Sequence, residues 1–334
     1  MLTLAIESSC DDTAAAVLAD DRTVLSCVVS SQFDVHARYG GIVPELASRR
    51  HIEAVWPVTQ EALSIAGVSL SRIELIAATQ GPGLIGSLLV GFTFAKGLAL
   101  VLNIPCVGVD HMAGHLLSPL LENPAPEFPY IALIASGGNT SLYRVGGPAD
   151  FQCLGRTRDD AAGEAFDKVA KLLDLGYPGG PIVSRIAADG NPAAIPFPRA
   201  WLGQDSLDFS FSGLKTSVVN CVHGFRQQGQ SPPVADICAS FQEAVVEVLA
   251  GKTISAAKRC GLARVVLGGG VASNQRLRQV MAERCAAAGL RLFVPVPLYC
   301  TDNAAMIGLA GYYRFQNGQV LDPDADVYSR PQLH

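Results

Sequence analysis

Charge is scarce in this sequence: Asp, Glu, Lys and Arg together make up 16% of its 334 residues, and the formal net charge is -5. A protein coated in basic surface is thereby excluded, so nucleic acid would have to meet a local patch or a surface shared with a partner. Cysteine pairs at metal or redox spacing are absent; nine cysteines are scattered with no Cys-x-x-Cys, and their number is odd. A disulfide framework is not expected. The opening residues read as a strand rather than a secretory signal, so reduced, mostly buried thiols in a cytoplasmic protein are expected. Low-complexity tracts are missing as well. The nearest approach to a membrane span, residues 84–102 (LIGSLLVGFTFAKGLALVL), is interrupted by Lys96 and three glycines. It is expected as a buried helix, with no membrane segment in the chain. What is abundant is apolar residues, at 49%, enough for two modest cores.

Residues 2–18 run as an apolar strand (LTLAIE), a polar turn (SSCDDT) and a second apolar strand (AAAVLA). The same pattern returns from Tyr130 as YIALIA, SGGNT and SLYRV, which suggests two halves on one plan. Helical patterns lie between and after the copies. Residues 45–67 are amphipathic, with Pro57 expected to bend or break them, and residues 163–176 predict a helix closed by Gly176. A third helix follows Gly268-Gly269-Gly270, capped by Ser273 or Asn274, and a last one starts at Asp302. Residues 191–208 read as an irregular, Pro-rich loop. Alternating strands and helices predict α/β layers with partly mixed sheets.

Two histidines, His111 and His115, stand four apart at a strand end. On a helix that spacing puts both rings on one face, close enough to share a metal, although core or surface histidines have the same spacing. Asp302, in a Thr-Asp-Asn turn, offers a carboxylate third ligand or an N-cap. His-Met-Ala-Gly-His is not the His-Glu-x-x-His of zinc peptidases, since Met112 replaces the general-base glutamate. Open positions on such a metal suit a substrate oxygen, with iron or zinc as the ion. Three glycine-bearing turns, at Ser136–Thr140, Gly179–Pro181 and Gly268–Gly270, are read as following strands and as candidates for phosphate contact. They resemble the phosphate and adenosine loops of the actin, hexokinase and Hsp70 class. That likeness implies Ser136, Gly137 and Gly138 at a phosphate, Gly268–Gly270 and Asn274 at adenine and ribose, and Asp167 at ribose hydroxyls. Asp167 also reads as a surface charge paired with Lys171. Asp11 and Asp12, in the first turn, are candidates for orienting reacting groups.

The stretch KGLALVLNIPCVGVDHMAGHL, with IESSCDDT, YGGIVPELASR, GPGLIGSLLVG, DDAAGEAFDK, YPGGP and CTDNAAMIG, covers nearly the whole chain. In these motifs and their order the sequence resembles the TsaD and Kae-type family of tRNA N6-adenosine threonylcarbamoyltransferases, once called glycoproteases. The resemblance implies a duplicated α/β fold of the actin, hexokinase and Hsp70 class, two related lobes with a nucleotide cleft between them. The first lobe would be residues 1–128 completed by the C-terminal helix, 302–334, and the second residues 129–301.

The resemblance further implies transfer of threonylcarbamoyl from threonylcarbamoyl-AMP to N6 of the adenosine beside the anticodon, in tRNAs reading codons that begin with A, with release of AMP. It carries the metal ligands onto His111, His115 and Asp302, and one divalent ion, Fe2+ ahead of Zn2+. It carries the substrate loop onto Ile134, Ala135, Ser136, Gly137 and Gly138, with Asp167, Gly180 and Asn274 around the nucleotide. TsaB and TsaE are the implied partner subunits, and residues 43–67 read as a docking face for TsaB or as ordinary packing on the sheet. The sequence departs from many bacterial relatives at Asn139, where they have His, and from archaeal ones at Ile134, where they have a Tyr metal ligand. Arg49, Arg50, Arg156, Arg158, Arg276 and Arg278 are candidates for tRNA phosphates. The rival readings are a small-molecule kinase of the same fold class, which leaves the His pair idle, and a metallopeptidase, which lacks its base. A scaffold subunit without chemistry is the third.

Overall fold

An apolar strand, a short polar turn and a second apolar strand form a hairpin in both places where the sequence repeats them. The computed structural model describes residues 1–203 and 205–333. Gln204, within the expected 191–208 loop, and His334, the expected end of the first lobe, lie outside the described residues. The chain divides into two compact units: Met1–Ala125 with Gly146–Phe151 and Pro295–His334, and Pro126–Val145 with Gln152–Val294.

In the first unit β1 (Leu2–Glu7) and β2 (Asp12–Ala19) pair antiparallel from Leu2↔Ala19 to Glu7↔Ala14. β3 (Thr23–Ser31) extends the hairpin, and β4 (Leu75–Gly81) and β5 (Cys106–Asp110) add parallel strands, giving the order β3-β2-β1-β4-β5. Parallel strands need crossovers, and helices supply them: short α1 (Phe33–Ala37) and α2 (Pro44–Ala66) before β4, then α3 (Ile85–Leu102) before β5. α4 (His111–Leu117) follows β5 without a break; short α10 (Pro297–Cys300) and then α11 (Ala304–Gln316) return from the far end of the chain. α11 packs on β1, β2, β4 and β5, so the last helix belongs to the first sheet.

α2 runs through Pro57 unbroken, contrary to the sequence expectation. Its buried face (Ala47, His51, Val55, Val58, Thr59, Ala62, Leu63) lies on β2, β3 and α3. Burying a large aliphatic side chain is worth about 1.5–3 kcal/mol, so this face outweighs the roughly 3 kcal/mol that an interior proline costs. α3 is long and apolar enough to cross a membrane by length and composition. It buries Ser87, Leu88, Gly91, Phe92, Ala95 and Ala99, while Leu89, Leu100 and Val101 are exposed. It is therefore a half-buried sheet helix rather than one buried all round.

The second unit repeats the plan. β6 (Tyr130–Ala135) pairs antiparallel with β7 (Thr140–Gly147), from Tyr130↔Val145 to Ala135↔Thr140, and β8 (Asp150–Arg156) lies beyond. α5 (Ala162–Leu172), α6 (Gly179–Ala187), α7 (Ser212–Gln227) and α8 (Val234–Cys260) lead to β9 (Arg264–Gly268), parallel to β6. α9 (Gln275–Ala287) and β10 (Arg291–Phe293) finish the order β10-β9-β6-β7-β8. Each sheet thus centres on the first strand of its unit, between a hairpin partner and a parallel crossover strand. α5 stops at Leu172, four residues before the expected Gly176; Asp174 at φ 56 already has left-handed backbone. All nine cysteines are free: Cys106, Cys238, Cys285 and Cys300 are buried, and the other five only half-buried.

Candidate metal centre and nucleotide-binding turns

β5 is buried along its whole length and ends in Asp110, which caps α4. Asp110 Oδ1 accepts from the Met112 N–H at 2.9 Å and the Ala113 N–H at 3.2 Å, so the helix starts at His111 itself. The i, i+4 spacing then sets the rings of His111 and His115 edge to face, centroids 4.7 Å apart. Asp302, from the turn before α11, places Oδ1 3.4 Å from His111 Nε2 and 3.1 Å from His115 Nε2. The three candidate ligand atoms lie within 4.8 Å of one another. Asp302 is not the cap of α11: Asn303 takes that role, its Oδ1 accepting from the Met306 N–H at 3.0 Å. Its neighbour's capping leaves the Asp302 carboxylate to the histidines.

Glu7, which the sequence reading treated only as the end of a strand, completes this centre. It is fully buried and accepts from the Ser9 N–H at 2.5 Å, the Thr79 hydroxyl at 2.5 Å and His111 Nδ1 at 3.0 Å. With Nδ1 given to Glu7, Nε2 of His111 faces Asp302 and is the nitrogen that would offer its lone pair to a metal. Its signal in the sequence is a lone acid closing an otherwise apolar strand. His115 has no such support among the described residues, where its Nδ1 is buried without a hydrogen-bond partner.

Burial alone would lift the Glu7 and Asp302 carboxyls. The imidazoles outweigh it, His111 holding Glu7 below its usual range and His111 and His115 holding Asp302 well below. Burial likewise opposes charge on His111, but Glu7 and Asp302 raise it well above the ordinary imidazole value. Asp11 and Asp12 are half-buried on the same side, and burial reinforced by Asp302 lifts both, Asp12 to about 7. Asp12 Oδ1 is buried without a hydrogen-bond partner among the described residues. Asp302 disfavours charge on the neighbouring Asp11 and Asp12 carboxyls, so positive charge beside Asp302 is favoured. Two nitrogen donors and one oxygen donor in that field fit a divalent cation, iron or zinc equally. Met112 is buried in the core, so no base stands where a zinc peptidase needs its glutamate.

In the second unit Ile134 and Ala135 are fully buried in β6, and only the loop beyond them reaches the surface, with Ser136 half-buried and Gly137 and Gly138 exposed. The loop is internally braced. The Ser136 N–H donates to the Asn139 carbonyl at 2.7 Å, the Asn139 N–H to Ser136 Oγ at 3.1 Å, and the Ser141 hydroxyl to Asn139 Oδ1 at 2.8 Å. α5 abuts it, giving its Ala162 N–H to Thr140 Oγ1 and its Gly163 N–H to the Ser136 carbonyl. Asp167, on α5, accepts from the Gly179 N–H at 2.7 Å. Gly179 and Gly180 therefore open α6, and their turn follows a helix, not a strand as expected. Gly269, at φ 82, passes against the Ala135 carbonyl where no Cβ would fit. This lets the short turn 270–273 pack on the end of β6 and on α5. Asn274 is the cap of α9: Oδ1 accepts from the Leu277 N–H at 3.0 Å and Nδ2 donates to Gln242 at 2.7 Å. The structure thus gathers Ser136–Gly138, α5 and the glycine turn after β9 within one unit, and Asp167 fastens Gly179 to α5.

Among the candidate arginines, Arg276 is held by Glu243, Arg278 by the Ala272 carbonyl, and Arg158 by Asp208. Arg49 and Arg50 pair with Glu45 and Glu53 on their own helix.

Residues 23–309 match the family model described as TsaD, tRNA N6-adenosine threonylcarbamoyltransferase. A protein of Desulfotalea psychrophila bearing that same description is 57% identical over 339 residues, covering 100% of this chain and 98% of its own. Among solved structures, T. kodakarensis HypF aligns at 17% identity with a TM-score of 0.63, over 94% of this chain and 48% of that one. Component A of the Acidaminococcus fermentans (R)-2-hydroxyglutaryl-CoA dehydratase aligns at 16% with a TM-score of 0.54, over 94% and 98%. The fold is the duplicated α/β fold of the actin, hexokinase and Hsp70 class.

Proposed function

The chain belongs to the TsaD family of tRNA N6-adenosine threonylcarbamoyltransferases, and from that premise we propose how its two units serve the transfer. The reaction joins a threonylcarbamoyl group to N6 of a tRNA adenosine. The donor in this reading is threonylcarbamoyl-AMP and the acceptor is the adenosine beside the anticodon in tRNAs reading codons that begin with A. The N6 nitrogen attacks the carbamoyl carbon, the new C–N bond replaces the bond from carbon to phosphate oxygen, and AMP leaves. N6 gives up one proton. That amine is a poor nucleophile because its lone pair is delocalised into the ring, so the electrophile must be activated.

The first unit would hold one divalent metal on His111, His115 and Asp302; these donors suit iron and zinc alike, and the family resemblance alone puts Fe2+ ahead of Zn2+. When bound, the ion supplies Lewis acidity toward an oxygen of the threonylcarbamoyl group. Glu7 fixes the tautomer of His111, and Asp11 and Asp12 orient the reacting groups. In the second unit the exposed loop Ser136–Gly138, at the end of the buried Ile134 and Ala135, receives the phosphate. Asp167, Gly180 and Asn274 flank the nucleoside. Fixed donors of this kind act by positioning the donor group before the amine arrives.

TsaB and TsaE are the partner subunits in this reading, and the cytoplasm is its location. The outer face of α2 supports a docking role: it packs one side on the sheet and exposes Ile52 and Trp56 on the other. The rival readings find no support, since a kinase would leave the buried His pair idle and a peptidase would lack a base.

The observation that carries this reading is the meeting of His111, His115 and Asp302, with Glu7 fixed behind them. Its test is transfer of labelled threonine from preformed threonylcarbamoyl-AMP to unmodified tRNA, with both partner subunits present, with and without chelator. Label that disappears on chelation and in His111→Ala is expected. Full transfer by metal-free protein or by His111→Ala would remove the metal from the reaction.

A further inference from the structure

The last stretch of the first unit forms no regular element, yet it is fastened at many points. The Leu321 N–H donates to the Cys106 carbonyl at 2.8 Å, and the Tyr328 N–H to the Gln80 carbonyl at 3.0 Å. Lys96, from α3, donates to the Pro323 carbonyl at 2.6 Å and the Ala325 carbonyl at 3.1 Å, and Gln80 Nε2 to the Asp326 carbonyl at 2.8 Å. Leu321 and Val327 pack against the core of the unit. Two glycines make room for it. A Cβ on Gly81 would overlap the Tyr328 carbonyl and ring, and one on Gly108 would overlap the Gln80 amide and press on Leu321.

Tyr328 ends the run of contacts, and its hydroxyl donates to Asp110 Oδ2 at 2.8 Å. The other oxygen of Asp110 is the one that accepts from Met112 and Ala113 and so starts α4. Both histidines of the metal centre ride on that seven-residue helix. A helix so short has little stability of its own, so its orientation depends on what holds its first turn. We propose that the segment Leu321–Tyr328 is a strap that positions the metal centre, with Tyr328 acting through Asp110 to fix α4 and thereby the pair His111 and His115. Tyr328 is a positioning residue and touches none of the three candidate metal ligands in this role.

The inference rests on reading His111, His115 and Asp302 as a metal site, so the test has one arm that needs no metal. In metal-free full-length protein, Tyr328→Phe keeps the ring and removes one hydrogen bond. It should speed amide exchange at Met112 and Ala113 by about tenfold to a hundredfold, the range of one lost bond to a charged acceptor, with exchange in β9 unchanged. In the second arm, Co2+ is titrated into the metal-free protein. Loss of an outer partner of a metal site weakens binding by about 10–100-fold, and one step further out about threefold to tenfold is expected, with a shifted Co2+ visible spectrum. Lys96→Met, which loosens the strap without touching Asp110, should move both readouts in the same direction. Unchanged exchange and Co2+ affinity in Tyr328→Phe, or unchanged readouts in Lys96→Met, would overturn the strap. Wild-type protein that binds no Co2+ while Tyr328→Phe still speeds exchange would leave the strap standing as a brace of α4 and overturn the metal reading and the strap's service to it.

Discussion

Glu7 and His111, 104 residues apart, share a hydrogen bond of 3.0 Å between Oε2 and Nδ1 inside the first unit. The bond decides which ring nitrogen carries the proton and so which one faces Asp302. Glu7→Ala removes it and also strips an acceptor from the buried Thr79 hydroxyl and the Ser9 N–H. Metal binding is expected to weaken by about 10–100-fold, the usual consequence of losing the partner of a ligating histidine. Glu7→Gln, which keeps an acceptor, should lose less. Competition between a chelator and the protein for Zn2+ measures both, with thermal unfolding of the metal-free proteins as control. Equal Zn2+ affinity in Glu7→Ala would mean that His111 is oriented by its packing.

How much of this centre can be read in the chain depends on distance along it. The His111–His115 pair is legible because helical spacing is local, and Asp302 because an acid in a turn before a helix invites attention. Glu7 is not, since its role arises only when β1, β4 and β5 lie side by side and bring Thr79 and His111 to it. Tyr328 is hidden for the same reason, 218 residues from Asp110. The hairpin repeat is legible as two copies of an apolar run, a polar turn and a second apolar run, and the sheets follow it. Two helix boundaries differ from local propensity: α2 does not break at Pro57, because its buried face holds it, and α5 ends before Gly176, where Asp174 turns left-handed.

Asp167 separates a structural from a ligand-binding role. Its Oδ1 fastens the start of α6 through the Gly179 N–H at 2.7 Å. Asp167→Asn retains an oxygen for that bond and removes the charge offered to ribose hydroxyls. A hydrogen bond to a charged acceptor is worth about 1.5–3 kcal/mol, so AMP should bind the variant about 10–100-fold more weakly while the melting temperature stays close to wild type. Isothermal titration with AMP reads the first and a thermal melt the second. Unchanged AMP affinity would confine Asp167 to holding α6.

A pH-dependent contribution to stability is expected at Asp159. Its carboxylate accepts from the Phe211 N–H at 2.8 Å and the Ser212 N–H at 3.3 Å, and from the hydroxyls of Ser210 and Ser212, so it caps α7 from outside the helix. Burial opposes the charge, but these donors outweigh it and hold the folded pKa below the unfolded one. A depressed carboxyl stabilises the fold above its unfolded pKa and loses that contribution as pH falls through the folded value. Asp159→Ala should therefore cost about 1 kcal/mol near pH 7, the usual worth of a cap, with the gap to wild type closing below about pH 3. Urea unfolding across that range tests it. A gap that persists at low pH would assign the effect to packing.

The outer face of α2 is the sharpest test of a partner. Single exposed apolar residues are ordinary, but here Ile52 is 65% exposed and Trp56 42% exposed on one helix, while Leu100 is 83% exposed on its neighbour α3. The two helices pack together, with the Trp56 and Phe94 rings 6.2 Å apart. Water-facing apolar groups on packed helices lose nothing in the free chain when replaced by charge, yet they are costly to change where a partner covers them. Ile52→Glu should leave the fold and AMP binding intact and weaken TsaB binding by about thirtyfold or more, the loss typical of a central interface residue. Sedimentation of the purified pair, wild type against Ile52→Glu, reads this directly. An undiminished complex would place the partner on another face and leave α2 to its packing on the sheet and α3.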